Sequence, residues 1–300
     1  MTRRNTPRVS FIGFGEAGQA IAFGLRETGI ERIAAWDILF PAAEGAQLKA
    51  AAQTMGVRIA SSAADAVCET DVIISAVTAA SSVDAACSVA TRLAGNPYYL
   101  DINSVSPGRK QETARLLGEG ARYIDVAVIA PIHPARHRTP LLISGPHAEQ
   151  ISPLLRELEM QFTVVGPQTG SAAAIKMIRS VMIKGIEALT LECFLAASRA
   201  GVLEEVTASL KNNYPTLDWT KIADYNLERM ASHGERRAAE MEESALTLRE
   251  LGLDPLMVDS TVKRQRQMGA VGKHENVRET LKLGRAAMLS AISAASKDRH

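Results

Sequence analysis

The chain has 300 residues, enough for one large domain or, more naturally, two of ordinary size. Lysine and arginine number 34 against 33 aspartates and glutamates, and the formal charge of +1 argues against a general binder of nucleic acid or acidic membrane. Hydrophobic residues at 46% and charged residues at 22% are globular values that exclude global disorder, while aromatics at 4% call for a core of aliphatic side chains and alanine.

The N-terminus imitates a secretory signal only superficially. Arg3, Arg4 and Arg8 precede the apolar run Val9–Phe14, but that run is short and passes into Gly-Glu-Ala-Gly without a cleavage site, so it reads as part of the fold. Val9–Ile12 is a strand that leads directly into Gly13-Phe14-Gly15-Glu16-Ala17-Gly18 and the helical stretch Gln19–Glu27. A G-x-G-x-x-G between strand and helix is a turn built for phosphate. Gly13 permits the tight turn, Gly15 lets backbone approach a pyrophosphate, and Gly18 lets helix and strand pack closely. Free N–H groups and the positive dipole end of the helix hold the phosphates. A glycine-rich turn in another α/β fold, or a flavin site, is the competing reading.

The next strand, Ile33–Trp36, ends at Asp37. A carboxylate there accepts hydrogen bonds from the adenosine ribose and repels the 2′-phosphate of NADP. Ile38 and Leu39 follow instead of an arginine, so NAD is expected over NADP. Further β-rich runs, Val72–Ser75, Tyr98–Ile102, Ile124–Ile129 and Leu141–Ile143, are separated by Ala-rich helical stretches such as Ser82–Leu93. That alternation implies βαβ units and a mainly parallel sheet. Three cysteines (Cys68, Cys87, Cys193), scattered and odd in number, fit buried or idle thiols of a reducing compartment. No apolar run reaches the roughly 18 residues that span a bilayer, and the cytoplasm is the expected location.

Ten of the 12 prolines lie at or before Pro167, and beyond it the texture turns helical. From Ser171 to Ala200 only Gly185 interrupts, and Gly201 supplies a C-terminal stop. At 1.5 Å per residue this helix is about 45 Å long and is expected to leave the first domain and become the spine of the second. Ala172, Ile175, Ile178, Met182 and Ile186 form one apolar stripe along it. Further helical runs are Glu205–Leu210, Asp218–Ala231, Glu235–Leu251 and His274–Ala295. The expected fold class is therefore α/β: an N-terminal Rossmann-type dinucleotide-binding domain over 1–167, then an all-α C-terminal domain over 168–300 led by the long interdomain helix.

Lys176 is a cation in a strongly apolar part of that helix, within two turns of the join. Burial, or a neighbouring nicotinamide cation, favours its neutral amine and fits it for proton transfer. A solvated lysine on an exposed face is the alternative.

Four landmarks in order, over essentially the whole length, resemble the β-hydroxyacid dehydrogenase superfamily, the group of 6-phosphogluconate and 3-hydroxyisobutyrate dehydrogenases. The first is the turn Gly13–Gly18. Leu100-Asp101-Ile102-Asn103-Ser104-Val105-Ser106-Pro107 is similar to the family's D-x-S-T-x-S-P segment beside the nicotinamide. Asp125-Val126-Ala127-Val128, followed by a loop to Leu141–Gly145, resembles the substrate-binding D-A-P-V region. Gly170 to Lys176 matches the G-x-x-x-x-x-K pattern whose lysine is the family's general acid/base, and Lys184–Leu189 is similar to the phosphogluconate branch.

The resemblance implies hydride transfer between a nicotinamide cofactor and the CH–OH or carbonyl group of a small, anionic hydroxy compound. It places the nicotinamide near Ala76, Val77, Thr78 and Ser104, makes Lys176 the general acid/base, and has Ser104 and Ser180 fix the hydroxyl. A homodimer or higher homo-oligomer through the helical domain is implied as well. Departures accompany the matches: Ile129, Ala130 and Pro131 stand where the family has S-G-G, and Arg179 and Ser180 stand in its K-x-x-N-N. Activity on 6-phosphogluconate itself is therefore not expected. Rival readings are a catalytically idle dinucleotide sensor and an NADPH-dependent carbonyl or imine reductase.

The loop His133-Pro134-Ala135-Arg136-His137-Arg138 lies where the family's substrate loop lies. Guanidinium groups bind carboxylate or phosphate bidentately, so Arg136 or Arg138, with Arg179, is a candidate clamp on an anionic substrate group; a solvated loop is the alternative. His133 and His137 have no third ligand and Pro134 disfavours a helix between them, so no metal is expected. His233–Glu243 reads as a charged amphipathic helix in which Arg236 or Arg237 serves an interface or simply faces water. Lys263-Arg264-Gln265-Arg266 lacks the aromatics that stack on bases, so neither nucleic acid nor membrane is an expected partner.

Overall fold

The computed structural model describes residues 6–297; Arg3 and Arg4 lie outside the described residues. Two units divide between Lys176 and Met177. In chain order the first contains β1 (Val9–Ile12), α1 (Glu16–Glu27), β2 (Ile33–Trp36), α2 (Ala46–Thr54), β3 (Arg58–Ile59), α3 (Ala63–Ala66) and β4 (Val72–Ser75). It continues through α4 (Ser82–Ala90), β5 (Tyr98–Asp101), α5 (Pro107–Leu117), β6 (Arg122–Val128), β7 (Leu141–Ser144), α6 (Ala148–Glu157) and β8 (Phe162–Val164). Among the described residues the strands form one eight-stranded sheet in the order β3-β2-β1-β4-β5-β6-β7-β8. Every pairing is parallel except β6 with β7.

Strands β1, β4 and β5 are buried at each position, as parallel strands covered on both faces must be. Their side chains alternate between two cores. Phe11, Ile74, Leu100 and Ile124 meet Ile21 and Leu25 of α1 on one face. On the other, Ile73, Tyr99 and Tyr123 meet Val89 of α4 and Leu117 of α5. The sequence expectation missed β3 and β8, which at two and three residues are too short to show an alternation. The three cysteines are exposed and unpaired, which corrects the alternative that they are buried.

Helix α7 (Ser171–Ala200) begins in the first unit and continues in the second, followed by α8 (Leu203–Asn213), α9 (Trp219–Glu250), α10 (Leu256–Val271), α11 (Glu275–Thr280) and α12 (Arg285–Lys297). Leu191 and Phe194 of α7 pack with Leu227 and Met230 of α9, Met268 of α10 and Leu289 of α12. Two expected helices are one, because α9 runs straight through Gly234. That glycine is there for contact: a Cβ on it would stand 2.7 Å from the Gly269 Cα of α10. The expected run His274–Ala295 is broken at Gly284, whose φ of +90° leaves the helical region.

The apolar stripe of α7 does not face this chain's core. Ala172 is buried, but Ile175, Ile178, Met182 and Ile186 are exposed, Met182 at 64%. The inward face of the helix carries Ser180, Lys184 and Glu187 instead. Lys184 Nζ lies 2.9 Å from Glu240 Oε2 and donates to Ser180 Oγ at 3.2 Å. Arg237 Nε and Gln265 Nε2 both donate to Glu187 Oε2 at 2.9 Å. Burial pushes the Lys184 ammonium below its ordinary pKa, partly offset by Glu240. Arg237 is thus a buried ion-pair partner, while Arg236 is exposed. In the basic cluster, Arg264 and Arg266 of α10 pair with Glu192 and Glu242.

Candidate active site

Strands β1 and β4 are neighbours, yet α1 packs on one face of the sheet and α4 on the other. The chain therefore leaves the two strands in opposite directions, and a crevice opens between their carboxyl ends, where such sheets bind ligands. Gly13 has a φ of +90°, and a Cβ there would stand 2.7 Å from Val77 Cγ1 and overlap the Ala76 carbonyl. A Cβ on Gly18 would stand 2.6 Å from the Gly13 oxygen, whereas one on Gly15 would meet nothing within 4 Å. Gly15 is also the N-cap of α1, with no side-chain hydrogen bond closing it. A turn with bare backbone against open space at a helix N-terminus fits a dinucleotide pyrophosphate.

Glu16 is exposed and Ala17 half-buried on the first turn of α1. The Phe14 ring is fully buried, edge-on to Phe11, so this residue offers the site only its backbone. The Phe14 N–H donates to Asp37 Oδ2 at 2.7 Å, and Leu39 N–H donates to Asp37 Oδ1 at 3.0 Å. Each carboxylate oxygen keeps a further lone pair. Asp37 therefore stands beside the glycine turn, half-buried and able to accept from a ribose.

Across the crevice, Asn103 joins the ends of β4 and β5. Its Oδ1 accepts from Val77 N–H at 2.7 Å and its Nδ2 donates to Ser75 Oγ at 2.9 Å. Ala76 N–H extends the sheet by donating to the Ile12 carbonyl at 2.8 Å, and Thr78 is exposed beyond it with Oγ1 3.0 Å from Ser81 Oγ. Sequence reasoning quoted Asn103 without a role; a single buried amide between two apolar strand ends was the available signal.

The next residue, Ser104, accepts a hydrogen bond from Lys176 Nζ at 2.6 Å. Lys176 reaches it because the start of α7 is fastened to the sheet. Asp125 Oδ2 accepts from Gly170 and Ala173 N–H, each at 3.1 Å. Ser144 Oγ accepts from Ala172 N–H at 3.0 Å and donates to Asp125 Oδ2 at 2.9 Å. Through these caps the first turn of α7 is held by β6 and β7. An amine in contact with a hydroxyl at a strand end, beside a dinucleotide turn, is equipped to take up and return a proton.

Three expected substrate or catalytic positions have other partners in this structure. Arg136 pairs with Glu27 in the last turn of α1 at 2.6 Å and lies over the Phe23 ring. That is the opposite end of α1 from the glycine turn, about 16 Å away at 1.5 Å per residue. Arg138 pairs with Glu159, just beyond α6. Both guanidiniums already have carboxylate partners, so neither gathers at Ser104 and Lys176. Ser180 is 5% exposed and accepts from Lys184, which makes it part of the helical unit's polar network. Arg179 is exposed on α7. His133 is exposed and His137 buried.

The family described as the NAD binding domain of 6-phosphogluconate dehydrogenase matches residues 8–166, and a domain of unknown function matches residues 197–268. A conserved hypothetical protein of Sinorhizobium meliloti 1021 has a solved structure that is 34% identical, with 97% of each chain covered and a TM-score of 0.77. A 3-hydroxyisobutyrate dehydrogenase of Mycobacterium tuberculosis is 15% identical over 96% of this chain and 99% of that one, with a TM-score of 0.69. For a Streptomyces aurantiacus imine reductase the values are 17%, 96%, 99% and 0.57. At these last two identities the likeness is one of fold.

Proposed function

The chain belongs to the family of the 6-phosphogluconate dehydrogenase NAD-binding domain, and from that premise we propose an NAD-dependent oxidoreductase acting on the CH–OH or carbonyl group of a small hydroxy compound. The dinucleotide, when bound, supplies the hydride acceptor or donor. The turn Gly13–Gly18 binds its pyrophosphate, Asp37 accepts from its ribose, and Asn103 holds the Val77 amide that borders its nicotinamide. Lys176 takes the substrate's hydroxyl proton in oxidation and returns it in reduction, while Ser104 orients the reacting oxygen. The contact of 2.6 Å between Lys176 and Ser104 carries this reading.

NAD is preferred to NADP because the Asp37 carboxylate stands beside the glycine turn, where it repels a 2′-phosphate. With Arg136 and Arg138 engaged elsewhere, Arg179 is what remains of the proposed clamp on an anionic substrate group. The exposed apolar stripe of α7 supports a homo-oligomer.

Replacing Lys176 by Met tests the assignment. NADH binding, followed by fluorescence, is expected to stay within about twofold, because the dinucleotide turn is untouched. Turnover on a panel of hydroxy acids, followed by NADH absorbance, is expected to fall at least about 100-fold. Survival of turnover within a few-fold overturns the role of Lys176. If the native protein binds NADH and oxidises nothing in the panel, the sensor reading replaces the enzyme.

A further inference from the structure

Two carboxylates lie side by side on neighbouring strands: Asp101, at the end of β5, is in register with Asp125, in the middle of β6, and both are 0% exposed. Like charges so placed repel and call for a compensating cation. The compensation is Lys110 of α5, itself 1% exposed. Its Nζ lies 3.0 Å from Asp101 Oδ1 and 3.6 Å from Asp125 Oδ1, and donates to the Asp101 carbonyl at 2.6 Å. Tyr123 Oη donates to Asp101 Oδ2 at 2.8 Å, and burial with the two carboxylates holds that phenol protonated.

The two acids serve different halves of the site. Asp101 Oδ1 accepts the Asn103 N–H at 3.0 Å, which shapes the turn that ends in Ser104. Asp125 caps the helix start that carries Lys176. We propose that Lys110 is a positioning residue: by bridging Asp101 and Asp125 it locks the Ser104 turn and the Lys176 helix into one frame and so sets the distance between the two groups. Its importance for turnover rests on the function proposed above; the frame itself is measurable without turnover. The competing account is charge balance alone, since a buried ion cluster is weak evidence for anything beyond itself.

Two variants separate the accounts: Lys110→Met, and Lys110→Met combined with Asp101→Asn, which removes one charge of each sign and leaves Asp125 a lone anion. In Lys110→Met, NADH affinity is expected to stay within about threefold, since none of the bridging groups belongs to the glycine turn that takes the pyrophosphate. Hydrogen exchange at the amides of Gly170, Ala172 and Ala173 is expected to accelerate at least about tenfold as the cap loosens. Labelling of Lys176 by trinitrobenzenesulfonate, read by peptide mass spectrometry, is expected to speed up at least about threefold once the amine leaves Ser104. The double variant is expected to regain thermal stability but keep fast labelling, because nothing bridges. Native labelling in the folded single variant, or labelling restored with stability in the double one, overturns the proposal; if the single variant does not fold, the double one decides. Changed exchange and labelling together with normal turnover of Lys176→Met sinks the proposed function and leaves the frame standing.

Discussion

Asp37 donates nothing and accepts twice, from Phe14 and Leu39. Asn at this position keeps an acceptor oxygen and removes the charge. Asp37→Asn is therefore expected to narrow the preference for NADH over NADPH by about tenfold, the worth of one charge-assisted contact. Fluorescence titrations with the two cofactors check it. His137 shows a different residue-scale effect. Neither ring nitrogen has a hydrogen-bond partner among the described residues, and a Cβ on Gly24 would stand 2.8 Å from the ring's Cγ. Burial first, then Arg138, holds this imidazole below its ordinary pKa. The unfolded chain gains the His137 proton near pH 6.5, whereas the folded chain resists it, so stability falls as pH drops below that value towards the folded pKa. Melting temperature is expected to decline from pH 6.5 to 5.5, and to decline less in His137→Phe. Lys176 was legible in the sequence because a family motif marks it. Lys110 was not, although Lys110, Thr113 and Leu117 share the buried side of α5. A lysine in Ser-Pro-Gly-Arg-Lys reads as solvated unless the two carboxylates it must meet are already placed.

At the scale of elements, period and punctuation served well where they were strong. The bounds of α7 are those expected, since thirty residues lie between two glycines that stop a helix. Gly234 misled because a helical glycine marks either an end or a close crossing, and only the partner helix says which. Gly234→Ala puts a methyl into the α10 backbone near Gly269. A loss of about 1–3 kcal/mol is expected, as for other overpacked contacts, and thermal unfolding of the variant checks it. The stripe of α7 reads from the sequence as one apolar face, and the structure leaves all of it but Ala172 exposed. The inward face buries Ser180, Lys184 and Glu187 because Glu240, Arg237 and Gln265 meet them there. Lys184 and Glu187 look solvated in the sequence because their partners lie fifty or more residues away.

For the whole molecule, the stripe that this leaves exposed bears on assembly. Ile178, Met182 and Ile186 outside any core are the kind of surface that a second copy covers. The native protein is expected to sediment as a dimer or larger species, and Met182→Glu with Ile186→Glu as a monomer with unchanged far-UV circular dichroism; unchanged sedimentation of that variant removes the stripe from the interface. The near-zero net charge, in turn, is an average over buried and surface pairs: Lys110 and Arg237 are interior cations, while Arg136 and Arg138 are tied to surface glutamates. By itself the sequence determined the dinucleotide turn, the acid that follows it, the parallel sheet and the long helix with its lysine. Each is encoded by residues close together in the chain, through backbone freedom, capping and periodicity. Only the tertiary structure decided which charges meet: Lys110 with Asp101 and Asp125, Arg136 with Glu27, Arg237 with Glu187. A charged side chain reads alike in sequence whether water or another strand neutralises it, and that choice is made when distant segments are brought to within 3 to 4 Å.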